Sequence, residues 1–258
     1  MISRIKNKFK RKILASTKEV KFGKGSFKLS VNNEHEEMRA NTFHTKEPEM
    51  IEWVNSFSDD SVFYDIGANI GIYSLYASII HDKINVYSFE PESQNFSKLC
   101  KNIFDNKLQN VKPYQIGISD ETKFDILNIA VMESGAGAAT LEEQYLNSFK
   151  TIFQQGIFSI KLDDIVFKHK FPIPKYIKID VDGIEKKILY GAKNVLSSDE
   201  CQELLVEFNF IKESDNNSIF KYLEEFGFRL IKESEWTSEF NESKSKNFIF
   251  KKFSLDKK

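Results

Sequence analysis

The chain has 258 residues and a mass of 30.0 kDa, which suits one α/β domain with an extension and a sizeable core. Its 37 basic and 38 acidic residues leave a net charge of -1, so no global field calls for nucleic acid, and partner choice must be read locally. Cys100 and Cys201 stand far apart without a CxxC, which fits buried thiols in a reducing compartment and excludes a disulfide framework.

Residues 1 to 14, MISRIKNKFKRKIL, place Ile2, Ile5, Phe9 and Ile13 at helical spacing among six basic residues. This predicts a basic amphipathic helix, either docked on the domain with its lysines in water or making weak contact with a membrane surface. No apolar run approaches the roughly 18 residues of a transmembrane segment, and no hydrophobic signal region follows the N-terminal charges, so a cytoplasmic protein is expected. Val20, Phe22, Phe27, Leu29 and Val31 alternate around Gly23-Lys24-Gly25 as a hairpin, completing an N-terminal cover over residues 1 to 45. A helix is predicted from Pro48, with Met50, Ile51, Trp53 and Val54 on its buried side and His44 and Thr45 in the loop before it.

The stretch Ser61 to Ser74, SVFYDIGANIGIYS, reads as a strand, a glycine-spaced turn and a helix start. Gly67 permits the sharp turn, and Gly71 lets the helix approach the strand or a ligand closely. A second strand, Asn85 to Phe89, ends in Glu90-Pro91, and an acid about 20 residues beyond such a turn accepts both hydroxyls of a ribose. The turn lacks the G-x-G-x-x-G of dinucleotide sites, with Asn69 where a phosphate cradle prefers glycine, so the pattern points to an adenosine without a pyrophosphate.

Further on, Phe96, Leu99, Ile103 and Phe104 are expected to face the core from the next helix. Val111 to Ser119 and Phe124 to Val131 read as strands, and Glu133 to Thr140, ESGAGAAT, as a lid, a substrate loop or a plain linker. Tyr145 to Lys161 shows only scattered aromatics. Tyr176 to Asp182, YIKIDVD, and Leu204 to Asn209 are two more strands that end in acids, and Arg229 to Lys232 with Asn247 to Phe253 form a terminal pair. Strands ending at Asp65, Glu90, Asp180 and Glu207, alternating with helices, predict a mostly parallel, Rossmann-like sheet whose acids converge beyond its carboxyl edge.

Three ordered motifs carry a family resemblance: D-I-G-A-N-x-G (Asp65 to Gly71), F-E-P (Phe89 to Pro91), and K-I-D-x-[DE]-G-x-E (Lys178 to Glu185) with L-x-G-A (Leu189 to Ala192). Over roughly residues 42 to 210 the chain resembles the FkbM-type S-adenosylmethionine-dependent methyltransferases, departing from them in Asp182, where the family usually has Glu. The resemblance implies a seven-stranded sheet of order 3-2-1-4-5-7-6 with the last strand antiparallel, here over residues 46 to 258. It also implies O-methylation of a small-molecule or glycan hydroxyl. A sugar of a bacterial surface polysaccharide such as capsule or lipooligosaccharide, free or carried on a nucleotide, is the expected acceptor.

Carried onto this sequence, the resemblance implies cofactor contacts from Asp65, Gly67, Ala68, Asn69, Gly71, Tyr73 and Ser74 around the turn. Glu90 and Pro91 would serve the ribose, Gly117, Ile118 and Ser119 the adenine, and Asp180 the transferred methyl. The hydroxyl needs a base or a metal to lose its proton. Asp180, Asp182, Glu207 and His44 are the candidate bases, and Asp180, Glu207 and Asn209 form an all-oxygen set suited to Mg²⁺ or Mn²⁺. A rival reading takes Asp180-Val181-Asp182 as the D-x-D of a nucleotide-sugar glycosyltransferase.

Overall fold

The computed structural model describes residues 16–23, 25–137, 139–141, 150–209, 213–235, 237–239 and 243–254; the basic segment 1 to 14 lies outside them. The expected hairpin is present: β1 (Ser16–Phe22) and β2 (Gly25–Val31) pair antiparallel, and alternation buries Val20, Phe27, Leu29 and Val31. Helix α1 (Glu34–Thr42) begins where the Asn33 side chain accepts the Glu36 N–H at 2.9 Å, and α2 (Pro48–Asn55) begins at its proline.

The βα units follow: β3 (Val62–Ile66), α3 (Ile72–Ile80), β4 (Asn85–Phe89), α4 (Ser93–Asp105) and β5 (Val111–Tyr114). An insertion of β6 (Gly117–Ile118), β7 (Lys123–Ile129), β8 (Ala139–Thr140) and β9 (Phe153–Ile160) forms a second sheet, in the order β6-β9-β7-β8. The chain then returns through β10 (Tyr176–Ile179), α5 (Glu185–Tyr190), α6 (Lys193–Ser197), β11 (Glu203–Asn209) and α7 (Glu213–Glu225). It ends in β12 (Phe228–Glu233), β13 (Thr237–Glu239) and β14 (Ser243–Lys252). The main sheet runs β12-β14-β11-β10-β3-β4-β5, with β13 added to β14, and β14 alone runs against both its neighbours β11 and β12. This is the expected methyltransferase order.

Alternation along the central strands sorts the core into two layers. Tyr64, Ile66, Phe89, Ile177, Ile179, Leu204 and Val206 face α5, α6 and α7. Phe63, Val86, Tyr176 and Leu205 face α2, α3, α4 and the hairpin, so the cover shares a core with the sheet.

Three expectations need correction. Val111 to Ser119 is not one strand: β5 stops at Tyr114, its Pro113 tolerated on the sheet edge, and Gly117–Ile118 pairs with β9 in the second sheet. Phe153–Ile160 is a full strand within the stretch that showed only scattered aromatics. On α4 the covered face is partly polar, carrying Asn95, Lys98 and Asn102, while Phe104 is 81% exposed. Asn102 accepts the Ser30 N–H and donates to the Ile70 carbonyl, and Lys98 pairs with buried Glu36 at 2.9 Å, so hydrogen bonds to the hairpin and α1 replace apolar packing there.

Candidate functional site

The turn after β3 owes its shape to two glycines. Gly67 has φ of 74°, and a Cβ there would lie 1.9 Å from the Asp180 carbonyl oxygen, so only glycine lets the turn cross the end of β10. At Gly71, φ is 90° and a Cβ would meet Leu99 Cδ1 at 2.4 Å; its bareness serves helix packing rather than a ligand. Between them Asn69, with φ of 51°, donates its backbone N–H to Glu90 Oε2 at 2.7 Å, while the Glu92 N–H reaches Glu90 Oε1 at 2.9 Å. Burial pushes the Glu90 carboxyl up to about 7, and the two amide hydrogen bonds limit the rise.

Beneath the turn sits an ion cluster built by strand register. Lys178 pairs across the sheet with Asp65 and shares a face with Asp180 two residues on, which places its Nζ 3.2 Å from Asp65 Oδ1 and 3.0 Å from Asp180 Oδ2. The same Nζ donates to the Gly67 carbonyl at 3.3 Å. Burial alone would lower this lysine; Asp180 and Asp65 outweigh it and hold the ammonium well above its ordinary range. Ser74 Oγ donates to Asp65 Oδ2 at 2.5 Å and meets Ser88 Oγ at 2.7 Å. Asp65 and Ser74 therefore hold the floor of the site rather than touching its contents.

Asp180 follows the end of β10 and Glu207 lies within β11, each one step past the Ile179–Val206 pair, and their carboxyl groups hydrogen-bond to each other. Burial and the charge of Asp180 push Glu207 well above the carboxylate range. Burial works against ionisation of Asp180 too, yet Lys178, the Glu207 hydrogen bond and Lys46 hold it well below. At neutral pH, then, Glu207 carries the proton and donates it to an ionised Asp180, while Glu207 Oε1 also accepts from Ser245 Oγ at 2.7 Å.

This arrangement corrects the metal assignment. Asp180 is committed to a lysine ammonium and to a protonated Glu207, the Asn209 side chain lies outside the described residues, and no group of three or more His, Cys, Asp or Glu suited to a metal occurs among the described residues. The donor set does not fit a divalent ion.

Two cavities meet at Gly67. The first is mostly apolar, lined by Ile66, Phe89, Ile116, Ile118, Leu127 and Val181 together with Pro91, Gly117 and Asp182. The second is charged: Arg39 from the cover and Lys46 and Glu47 just after it face Ala68, Asn69, Tyr73, Lys178 and Asp180. Burial and Glu47 push Tyr73 well above the ordinary phenol range, and its hydroxyl donates to Glu47 Oε2 at 2.7 Å.

The loop before β8 spans both cavities. The Ala136 carbonyl accepts from Asn69 Nδ2 at 2.8 Å, the Gly135 N–H donates to Asn95 Oδ1 at 2.7 Å, and the Ala139 N–H donates to Asp182 Oδ2 at 3.1 Å. The Asp182 carboxylate is thus a loop anchor. Glu90, 5% exposed, stands between Phe89 and Pro91, which line the apolar cavity. Ser119 packs against α5 rather than the cavity; a Cβ at Gly191 would stand 2.2 Å from its carbonyl oxygen. His44 is left out of the cluster, exposed, with Nε2 2.7 Å from the Lys21 carbonyl.

Lys178, Arg39, Lys46 and Glu47 were missed from the sequence. The alternation in Lys178-Ile179-Asp180 was a usable signal for the first. Nothing in the sequence placed the other three at the site.

A doubly wound sheet of this order, with a glycine turn crossing its central strands, is the methyltransferase architecture. The methyltransferase FkbM domain model matches residues 65–230, and the chain belongs to that family. The hexuronic acid methyltransferase AglP of Haloferax volcanii is 30% identical over 145 residues, 54% of this chain and 53% of AglP. The 31-O-demethyl-FK506 methyltransferase FkbM of Streptomyces tacrolimicus is 22% identical over 156 residues, 52% of this chain and 60% of that protein. The chain therefore matches little more than half the length of these relatives. Among solved structures, P. horikoshii TYW2 in complex with MeSAdo superimposes with a TM-score of 0.50 at 11% identity, covering 92% of this chain and 72% of that one, a likeness of fold alone. Family membership removes the glycosyltransferase reading of Asp180-Val181-Asp182. No helix among the described residues is long and apolar enough to cross a membrane.

Proposed function

We propose that the protein is an S-adenosylmethionine-dependent O-methyltransferase that acts on a hydroxyl of a sugar. The observation that carries this reading is the pair of cavities joined at Gly67, one apolar and one charged, with the Asp180–Glu207 pair at the edge of the second. The apolar cavity suits an adenine between Ile116, Ile118 and Leu127, with the ribose toward Glu90. Gly67 would then hold the sulfonium, with Asp180 beside the methyl group it supplies. AglP, by name a methyltransferase of a hexuronic acid, supports a sugar as acceptor. A surface-polysaccharide sugar, free or nucleotide-linked, is the finer form of the proposal.

Methyl transfer from a sulfonium is an in-line displacement: the acceptor oxygen forms its bond to the methyl carbon as the carbon–sulfur bond breaks and that electron pair returns to sulfur. The protein must chiefly align the two and take the hydroxyl proton. As the new bond forms, the hydroxyl becomes strongly acidic, so even a carboxylate of low basicity accepts its proton. Asp180 is ionised, and its side chain is 30% exposed, beside the charged cavity. Glu207, protonated, fixes its orientation. The Ala139 N–H bond to Asp182 and the exposure of His44 support Asp180 over those two as the base.

The test is mass spectrometry of candidate sugars and nucleotide sugars incubated with the protein and S-adenosylmethionine. A gain of one methyl group on a sugar supports the reading. Cofactor binding with methylation of a non-sugar acceptor instead would retain the enzyme class and reject the substrate class.

A further inference from the structure

We infer that the charged cavity receives the α-amino-acid end of the cofactor, and that Arg39, on the N-terminal cover, grips its carboxylate. The inference rests on the proposed function and extends it to a residue upstream of the segment that the family model matches.

Gly67 lines both cavities, so a ligand that places its nucleoside in the first and passes Gly67 places its tail in the second. A methionine tail ends in a carboxylate and an ammonium, and this cavity offers both signs of charge, Arg39 and Lys46 against Glu47. The cations are not equally available. Lys46 already pairs with Glu47 at 3.0 Å, and Lys178 is consumed by Asp65 and Asp180.

Arg39 differs from both. It is half-buried; its Nε donates to the Gly135 carbonyl, and its two terminal nitrogens have no hydrogen-bond partner among the described residues. A guanidinium fixed through Nε at the lining of a cavity, with its two terminal nitrogens unpaired among the described residues, is preorganised for a carboxylate, because little side-chain freedom remains to be lost on binding. The first turn of α3, Ile72 and Tyr73, lines the same cavity and adds the positive end of a helix dipole. Through Gly135 the same arginine also holds the loop that spans the groove.

A matched pair of ligands isolates this contact. S-adenosylhomocysteine carries the amino-acid tail, whereas 5′-methylthioadenosine has the same nucleoside and thioether without it. By calorimetry, Arg39→Gln is expected to weaken S-adenosylhomocysteine by about 10- to 100-fold, as for a lost hydrogen bond to a charged group, and to leave methylthioadenosine within about twofold. Arg39→Lys, which keeps the charge and loses the fork, should fall between. Equal weakening of both ligands, or no change in either, overturns the assignment; a rise only in the acceptor KM would move Arg39 to the acceptor. If the native protein binds neither nucleoside, the proposed function itself fails. Binding of both by the native protein, with Arg39→Gln indistinguishable from it, removes only the inference.

Discussion

The two cavities on either side of Gly67 are built by different means. The apolar one is walled largely by residues next to strand ends, Ile66, Phe89, Ile116 and Val181, each placed by the run of its own strand or the turn after it. The charged one is assembled across long sequence distances, with Arg39 from the cover and Lys46 and Glu47 just after it set against Lys178 and Asp180 from the centre of the sheet. Local sequence therefore specifies where a nucleoside would lie, whereas the chemistry at its far end depends on how the cover docks.

The largest expected effect comes from breaking the junction between them. Gly67→Val should abolish binding of S-adenosylhomocysteine and lower the melting temperature, because the new Cβ collides with the Asp180 carbonyl at a φ of 74°. Calorimetry beside a circular-dichroism melt reads both. Normal binding would mean that the turn does not face the ligand.

Next in size, and confined to the charged side, Asp180→Asn should lower kcat by about 10²- to 10⁴-fold, the usual contribution of a positioned base. S-adenosylhomocysteine affinity should stay within a few-fold, since Asp65 still pairs with Lys178. A matching loss of affinity and stability would make Asp180 a structural residue instead.

The legibility of the sequence follows the same division. The positions of Asp65, Gly67, Glu90 and Asp180 at strand ends and turns were readable because each belongs to one βα unit, and alternating strands and helices were enough for the sheet. The role of Asp182 was not readable, since its carboxylate is claimed by the Ala139 N–H from a loop far along the chain. Nor was the state of Glu207, whose proton depends on burial beside Asp180 in three dimensions. Phe104 misled because apolar spacing on α4 competes with a buried row of Asn95, Lys98 and Asn102 that hydrogen bonds satisfy.

A pH titration sharpens the contrast on the nucleoside side. Ionised Glu90 accepts hydrogen bonds from a ribose, and its carboxyl titrates at about 7, so cofactor affinity should fall as pH drops below about 7 and level off above it. The unliganded protein should show the opposite trend. A folded-state value above the usual 4.5 means that the folded chain holds this proton more tightly, so this group's contribution to stability declines as pH rises from 4.5 towards about 7. Glu90→Gln should flatten both curves; an unaltered affinity profile in that variant would assign the titration to another group.

The smallest expected effect is none. Stripping divalent ions with a chelator should leave both turnover and cofactor binding unchanged, because Lys178 and the shared proton already satisfy Asp180 and Glu207. Loss of turnover with restoration by Mg²⁺ or Mn²⁺ would return those residues to a metal.

The central claim is that the groove at Gly67 holds S-adenosylmethionine with its ribose on Glu90, and calorimetric titration of that cofactor into the native protein and Glu90→Ala tests it most directly. One site per chain is expected in the native protein, with affinity weakened by about 1.5 to 3 kcal/mol in the variant, the range for a hydrogen bond to a charged group. No binding to the native protein, or equal affinity in both, would contradict it.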